Sequence, residues 1–324
     1  MRVVTRLFKY TKAEMAARAT ELNFIRDTLE KVFRLTEILS YINENPIMKN
    51  CLALKGGTAI NLTVFDLPRL SVDIDLDYCA TENRIEMLAM RQTISEDLDL
   101  YIMSEGYILG PQTRKKHSLD SFVLLYQNLG GVRDNIKIEI NYSLRSHIFN
   151  PELRKIKSSV SALEQYVLSL NSVEIFAAKI NALLSRSAAR DLYDTYNMIT
   201  TNLFDQEQLQ MLRKCTVFYT AVSQEQILET YDLSRIDTIT FRKIQTDLLP
   251  VIQKSLYVDT DHMRRIVKEF LVKLLQLTDN EKKFLSLFKS KIFKPELVFD
   301  DPEIITNISS HPMVAWKMMN HDKD

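Results

Sequence analysis

Glycine is scarce in this chain, with six in 324 residues, and proline little commoner at eight. So few turn-formers leave little material for long loops, and a helix-rich fold is the expectation. Cysteine is rarer still. Cys51, Cys79 and Cys215 are an odd number without the paired spacing of a zinc site. Two of them lie in apolar runs and read as small buried hydrophobes, which argues against a disulfide framework and for a reducing compartment. No apolar stretch approaches the roughly 18 residues of a membrane span, and the N-terminus has no apolar signal core. A cytoplasmic protein with no membrane contact is therefore expected. Charge of one sign has no excess either, since 42 Lys and Arg stand against 42 Asp and Glu. With no global field to draw nucleic acid, any basic surface must be local. Internal repeats and low-complexity linkers are absent. The remainder, 46% hydrophobic and 26% charged, is an ordinary globular composition with length for one large or two modest domains.

One stretch organises the rest. Cys51-Leu52-Ala53-Leu54 reads as a buried strand, and after Lys55 it runs into Gly56-Gly57, where Thr58-Ala59-Ile60-Asn61-Leu62 starts a helix. Paired glycines let the backbone approach a ligand, and a helix starting there directs N–H groups at an anion. Shortly after, apolar and acidic residues alternate. On a strand, Ser71, Asp73, Asp75 and Asp77 share one face and Leu70, Val72, Ile74 and Leu76 the other. Neighbouring carboxylates repel unless a cation lies between them, and Mg²⁺ is the simplest for an oxygen-only pair beside a phosphate-binding turn. A calcium loop is excluded, because its sixth and twelfth positions need Gly and Glu and here are Tyr78 and Arg84. A phosphate cradle feeding a carboxylate pair is the equipment of nucleotidyl transfer.

Gly56-Gly57-Thr58 followed by Ser71-x-Asp73-x-Asp75 looks like the DNA polymerase β-type nucleotidyltransferase signature. The wording LKGGTAINL then RLSVDIDLDY resembles the AbiEii/AbiGii toxin family, the toxin half of type IV toxin–antitoxin and abortive-infection systems of phage defence. The resemblance implies that Gly56, Gly57 and Thr58 hold a triphosphate, with Ser71 helping at the strand edge, and that Asp73 and Asp75 bind Mg²⁺. In such enzymes a third carboxylate on a later strand completes the metal site or acts as general base. Lys137-Ile138-Glu139-Ile140-Asn141 alternates again, and Glu139 is the candidate; otherwise it is a plain solvent-facing glutamate.

Around these motifs, residues 1 to about 47 read as helical, above all Glu21 to Ile42, ended by Asn43-Glu44-Asn45-Pro46. Glu82 to Glu105 reads as another helix. Three strands are expected at Tyr107 to Gln112, Ser121 to Tyr126 and Ile136 to Tyr142. Pro151 to Val160 is a polar connector, and beyond it the chain reads as almost entirely helical. Lys179, Leu183 and Arg186 share a helical stripe, and Arg190-Asp191-Leu192-Tyr193-Asp194 follows. This block, K-x6-R-x3-R-D-x2-D, resembles the family's second signature. A triphosphate needs cations beyond the metal, and Lys179 is assigned to that task. Asp191 is a fourth site acid or the partner that orients Lys179 or Arg186; the alternative is a structural ion-pair network. Short helices are expected at Phe204 to Val217, Gln224 to Tyr231, Asp237 to Leu249, Asp261 to Leu277 and Asn280 to Ile292. Between His262 and Lys294, nine Lys or Arg face three acids. That is a phosphate-backbone surface, or else a solvated face or a dock for an acidic partner. Trp316, the only tryptophan, reads as a packing residue.

The expected fold is α+β: a nucleotidyltransferase-like mixed sheet with flanking helices in residues 1–150, then a mainly helical domain in 151–324 completing the active-site cleft. The expected enzyme is a nucleotidyltransferase moving an NMP from an NTP to an acceptor. The resemblance implies the 3′ end of tRNA, with translation and growth arrested, and a cognate antitoxin that represses transcription of the pair. Two other readings stand beside it: nucleotidylation of a protein hydroxyl, and a non-catalytic nucleotide-binding partner protein.

Overall fold

The computed structural model describes residues 8–80, 83–157, 159–160, 164–223 and 230–319. The chain forms two compact units. The first gathers 1–145, 151–169 and 251–255; the second gathers 146–150, 170–250 and 256–324.

The first unit is built on one mixed sheet. Its strands are β1 (Leu52–Lys55), β2 (Asp73–Tyr78), β3 (Ile108–Leu109), β4 (Arg114–Lys115), β5 (Leu119–Gln127), β6 (Arg133–Asn141), β7 (Glu152–Lys155) and β8 (Tyr166–Ser169). They run in the order β3-β5-β6-β2-β1-β8-β7, with β4 also paired to β5. β2 lies at the centre, antiparallel to β1 and parallel to β6. One face of this centre is apolar: Leu54, Ile74, Leu76, Ile136, Ile138 and Ile140 are all fully buried. Each such side chain contributes about 1.5–3 kcal/mol. A slip of one residue would drive the acids of β2 into that core, so hydrophobic burial sets the register that presents them.

Helices complete the unit: α1 (Lys12–Glu21), α2 (Arg26–Glu44), α3 (Gly56–Ala59, continued by a π-helical turn at Ile60–Val64) and α4 (Arg84–Ser104). α2 packs against β6 and β8, burying Leu29, Val32, Leu35, Ile38, Leu39 and Ile42. The helical N-terminal reading is interrupted at Asn23, whose φ of 60° ends α1; asparagine tolerates the left-handed region. The boundaries of α4 are close to expectation, because Asn83 and Glu86 form a capping box. Arg91 then fastens α4 to β5 through the buried Asp120 carboxylate at 2.6 Å.

The hairpin β7–β8 corrects the reading of 151–160 as a bare polar connector followed by an almost entirely helical chain. Leu54 of β1 pairs with Ser169, so the hairpin extends the sheet. Four-residue strands are too short for their alternation to register, and β7, with sequence Glu-Leu-Arg-Lys, is mostly exposed at the sheet edge. The expected strand from Tyr107 to Gln112 shrinks to two residues.

The second unit contains α5 (Ser172–Arg186), α6 (Ala189–Thr200), α7 (Gln206–Ser223), α8 (Phe241–Asp247), α9 (Thr260–Leu274), α10 (Asp279–Lys289), α11 (Pro302–Ser309) and α12 (Pro312–Met319). α5 packs on α6 and α7, α6 on α8 and α9, and α10 on α7. Buried Glu174 secures the 146–150 segment by accepting the backbone N–H groups of Ile148 at 3.0 Å and Phe149 at 3.2 Å. Most of the helix expected from Gln224 to Tyr231 lies outside the described residues. Trp316 is 56% exposed, so it does not serve the core as expected; Val314 is the buried residue of α12. Among the described residues no helix is long and apolar enough to cross a membrane. Cys51 and Cys215 are buried, and Cys79 is partly so.

Candidate active site

The first constellation lies where β1 ends. Gly56 has φ +66°, a left-handed conformation that glycine adopts without strain. A Cβ built on it would stand 2.8 Å from Asp75 Oδ2. A Cβ on Gly57 would stand 2.6 Å from a terminal nitrogen of Arg69 and 3.0 Å from Ser71 Oγ. The two glycines are therefore required by what lies behind them, a carboxylate and a guanidinium. Arg69 is 2% exposed, and its guanidinium donates to the Leu70 carbonyl at 2.9 Å. The Leu70 N–H donates to the Val251 carbonyl at 2.6 Å, so the returning 251–255 segment fixes the entry to β2.

Thr58, fully buried, ties the turn to the acidic strand. Its hydroxyl donates to the main-chain carbonyl of Asp73 and lies 3.0 Å from Ser71 Oγ. Gly56, Gly57, Thr58, Ser71, Asp73 and Asp75 thus form one local assembly, as the spacing of the two motifs led us to expect. Glu139 joins it through the sheet. In the parallel β2–β6 pair, Asp73 faces Lys137, Asp75 faces Glu139, and Asp77 faces Asn141. Across β1, Lys55 faces Asp75. Partners in register project to the same side, so Lys55, Asp73, Asp75, Asp77, Lys137 and Glu139 share one face.

Two lysines on this face bind acids directly. Lys55 Nζ meets Asp77 Oδ1 at 2.5 Å, where the carboxylate is buried. Lys137 Nζ meets Glu139 Oε1 at 2.7 Å. The hydrogen bond to Glu139 raises the Lys137 ammonium above its ordinary value; partial burial opposes it, and the charges of Glu139, Asp73 and Asp75 add to the rise. Neither lysine was singled out from sequence. The signal was present in the i, i+2 spacing of Lys137 and Glu139, whereas the Lys55–Asp77 pair depends on cross-strand register.

The donor chemistry of the face suits a hard divalent cation. Asp73 and Asp75 are two strand positions apart, about 6–7 Å along the backbone, and neither is fully buried. Among the described residues no three His, Cys, Asp or Glu side chains are gathered closely enough to hold a metal by themselves. Mg²⁺ is commonly bound by one or two carboxylates with substrate phosphates completing its shell, and the Asp73/Asp75 pair fits that arrangement.

The second constellation belongs to the helical unit. Lys179 on α5, 8% exposed, places Nζ 2.9 Å from Asp191 Oδ1 and 3.2 Å from Asp194 Oδ2. Arg186, at the end of α5, reaches Asp191 through Nε at 2.7 Å and a terminal nitrogen at 3.0 Å. Burial alone would raise the Asp191 carboxyl, but the charges and hydrogen bonds of Lys179 and Arg186 outweigh it and hold it low. Ser187, with φ 51°, ends α5 and allows α6 to return alongside it. Asp191 thus pairs with both Lys179 and Arg186. Asp194 is a second partner of the same ammonium.

The basic stretch from His262 to Lys294 is less positive than its composition. Arg264 is paired with Asp261, Arg265 with Glu269 at 3.2 Å and Lys268 with Asp237 at 2.7 Å. Lys282 and Lys294 pair with Asp279 and Glu296. Three of these acids lie outside the counted window, which is why linear counting overstated the excess. Lys283, Lys289 and Lys291 are exposed.

The sequence model of a family described as nucleotidyl transferase AbiEii toxin, type IV TA system, matches residues 37–286. No curated protein matches. Among solved structures, MenT4, a nucleotidyltransferase toxin from Mycobacterium tuberculosis, is similar at TM-score 0.62 and 15% identity, over 93% of this chain and 99% of its own. That likeness shows a shared fold. A protein from H. pylori assigned as a nucleotidyltransferase matches at TM-score 0.45 and 15% identity, over 75% of this chain and 92% of its own, too low to carry an inference.

Proposed function

Because the chain belongs to the AbiEii family of nucleotidyltransferase toxins from type IV toxin–antitoxin systems, we propose that it transfers an NMP from an NTP to the 3′ end of tRNA in the cytoplasm, with Mg²⁺, and so arrests translation. A cognate antitoxin that represses transcription of the pair is part of this reading. The observation that carries the chemistry is the placement of Asp73 and Asp75 on the face of β2 directly behind the Gly56-Gly57 turn.

In this reading Gly56 and Gly57 let the triphosphate approach the backbone, and Thr58 with Ser71 hold the turn against β2. Asp73 and Asp75 would hold the divalent cation, which when bound would neutralise phosphate charge and lower the pKa of the attacking hydroxyl. The acceptor oxygen bonds to the α-phosphorus as the α–β bridging P–O bond breaks, and pyrophosphate leaves. Glu139, in register with Asp75, receives the hydroxyl proton. Lys179 supplies a cation to the outer phosphates, and Asp191 with Asp194 keeps its ammonium oriented.

The test is incubation with total tRNA, Mg²⁺ and each α-labelled NTP in turn, beside Asp73→Asn. Label on RNA with one NTP, lost in the variant, supports the proposal. The neutralised state of Arg264, Arg265 and Lys268 favours one second reading, transfer to a protein hydroxyl, which needs no phosphate-binding helices. Label on protein and none on RNA would establish it. Absence of label with every NTP would sink the enzymatic mechanism.

A further inference from the structure

Lys137 lies on the strand face that carries Asp73, Asp75 and Glu139. It faces Asp73 across the β2–β6 pair and holds Glu139 at 2.7 Å. A second lysine on the same face, Lys55, faces Asp75 and is committed to buried Asp77 at 2.5 Å. The two ammoniums differ in surroundings. Lys55 is 24% exposed and bound to a carboxylate that is 2% exposed, whereas Lys137 is 39% exposed and its partner Glu139 29%. A pair open to solvent exchanges readily, because its Coulomb energy is modest in high dielectric. Lys55–Asp77 is thus a fixed part of the sheet, and Lys137–Glu139 a movable one.

We propose that Lys137 is a positioning residue that acts as the internal counter-ion of the cation site. With no metal bound, its ammonium lowers the repulsion among Asp73, Asp75 and Glu139 and keeps Glu139 engaged. Once a divalent cation is held by Asp73 and Asp75, Lys137 is repelled and releases Glu139, which then becomes free to take a proton. The lysine thereby competes with bare cations, and occupancy is favoured when phosphates bring further negative charge. This inference rests on the proposed cation-binding role of Asp73 and Asp75.

Manganese titration of the nucleotide-free protein, read by the electron paramagnetic resonance of free Mn²⁺, tests it without any turnover. Lys137→Met adds one negative charge to the face and should tighten Mn²⁺ binding by roughly tenfold, the scale of one unit charge a few ångströms from a divalent ion in water-like dielectric. Lys137→Arg, which keeps the charge, should bind as wild type. Glu139→Gln should weaken binding, and Lys137→Met with Glu139→Gln should return it to the wild-type value, because the face then carries the original charge. Circular dichroism melts select the folded variants; both side chains are partly exposed, so all four are expected to fold. Asp73→Asn separates the two levels of the argument. If it leaves Mn²⁺ binding unchanged, the cation reading itself fails and the inference with it. If it weakens binding while Lys137→Met binds no tighter than wild type, the cation reading stands and the counter-ion role alone is overturned.

Discussion

Lys179 and Asp191 meet at 2.9 Å in the interior of the helical unit, with 8% and 1% of their side chains exposed. Asp194 approaches the same ammonium at 3.2 Å. Lys179 is therefore held in one place by buried charge.

That arrangement makes Lys179→Met a stability variant as well as an activity variant. It leaves Asp191 and Asp194 without the ammonium between them and should cost about 3–5 kcal/mol, seen as a lower urea midpoint. The pH sign follows from Asp191, whose folded pKa lies below its ordinary 3.8. Its contribution is fully present above that ordinary value and is lost as pH falls through the lowered one. Without Lys179 the carboxyl loses the strongest charge holding it low and rises, with Arg186 still bound to it, so acid unfolding should begin at higher pH than in wild type. An unchanged acid midpoint would contradict this assignment.

Gly56→Ala should damage activity more than folding. The φ of +66° costs an L-residue roughly 1–2 kcal/mol, while the added Cβ, 2.8 Å from Asp75 Oδ2, must push that carboxylate aside. We expect at least about a hundredfold loss in turnover, of the order a displacement near 1 Å brings, with a thermal midpoint only a few degrees lower. Equal losses in both would show that Gly56 serves the fold alone.

His311 supplies a separate pH dependence. It is fully buried, and burial, reinforced by the charge of nearby His147 and opposed by Glu174, lowers its pKa from 6.5 to about 4. A histidine with a depressed folded pKa contributes stability that is present above 6.5 and lost as pH falls to about 4, on the order of 3 kcal/mol. His311→Asn retains an acceptor for the Met313 N–H, which His311 Nδ1 accepts at 3.2 Å. Stability of this variant, measured by urea titration at successive pH values, should vary less across that interval.

The acceptor can be probed through exposed lysines. Lys283, Lys289 and Lys291 make no ion pair among the described residues. If tRNA is held by its phosphates here, changing the three to Glu should weaken labelling of RNA and reduce the salt slope of binding by about 3. Transfer to a protein acceptor would show neither effect.

Local features were legible in the chain. The Gly56-Gly57 turn, the alternation of Asp73, Asp75 and Asp77, and the boundaries of α4 depend on residues a few positions apart. Backbone freedom, period-two projection and capping act at that range. The lysine partners of the acids were not legible, because they depend on the alignment of β1, β2 and β6, which is set by the burial of Leu54, Leu76 and Ile140. The same holds for β7 and β8, too short to declare themselves until β1 offers an edge. It holds also for Arg264 and Lys268, whose neutralising acids lie beyond the window in which charge was counted. Sequence by itself determined which groups are acidic, basic or flexible and on which face of an element they project. Tertiary structure decided which charges meet, because an ion pair forms between whichever groups the packing of apolar side chains brings into reach.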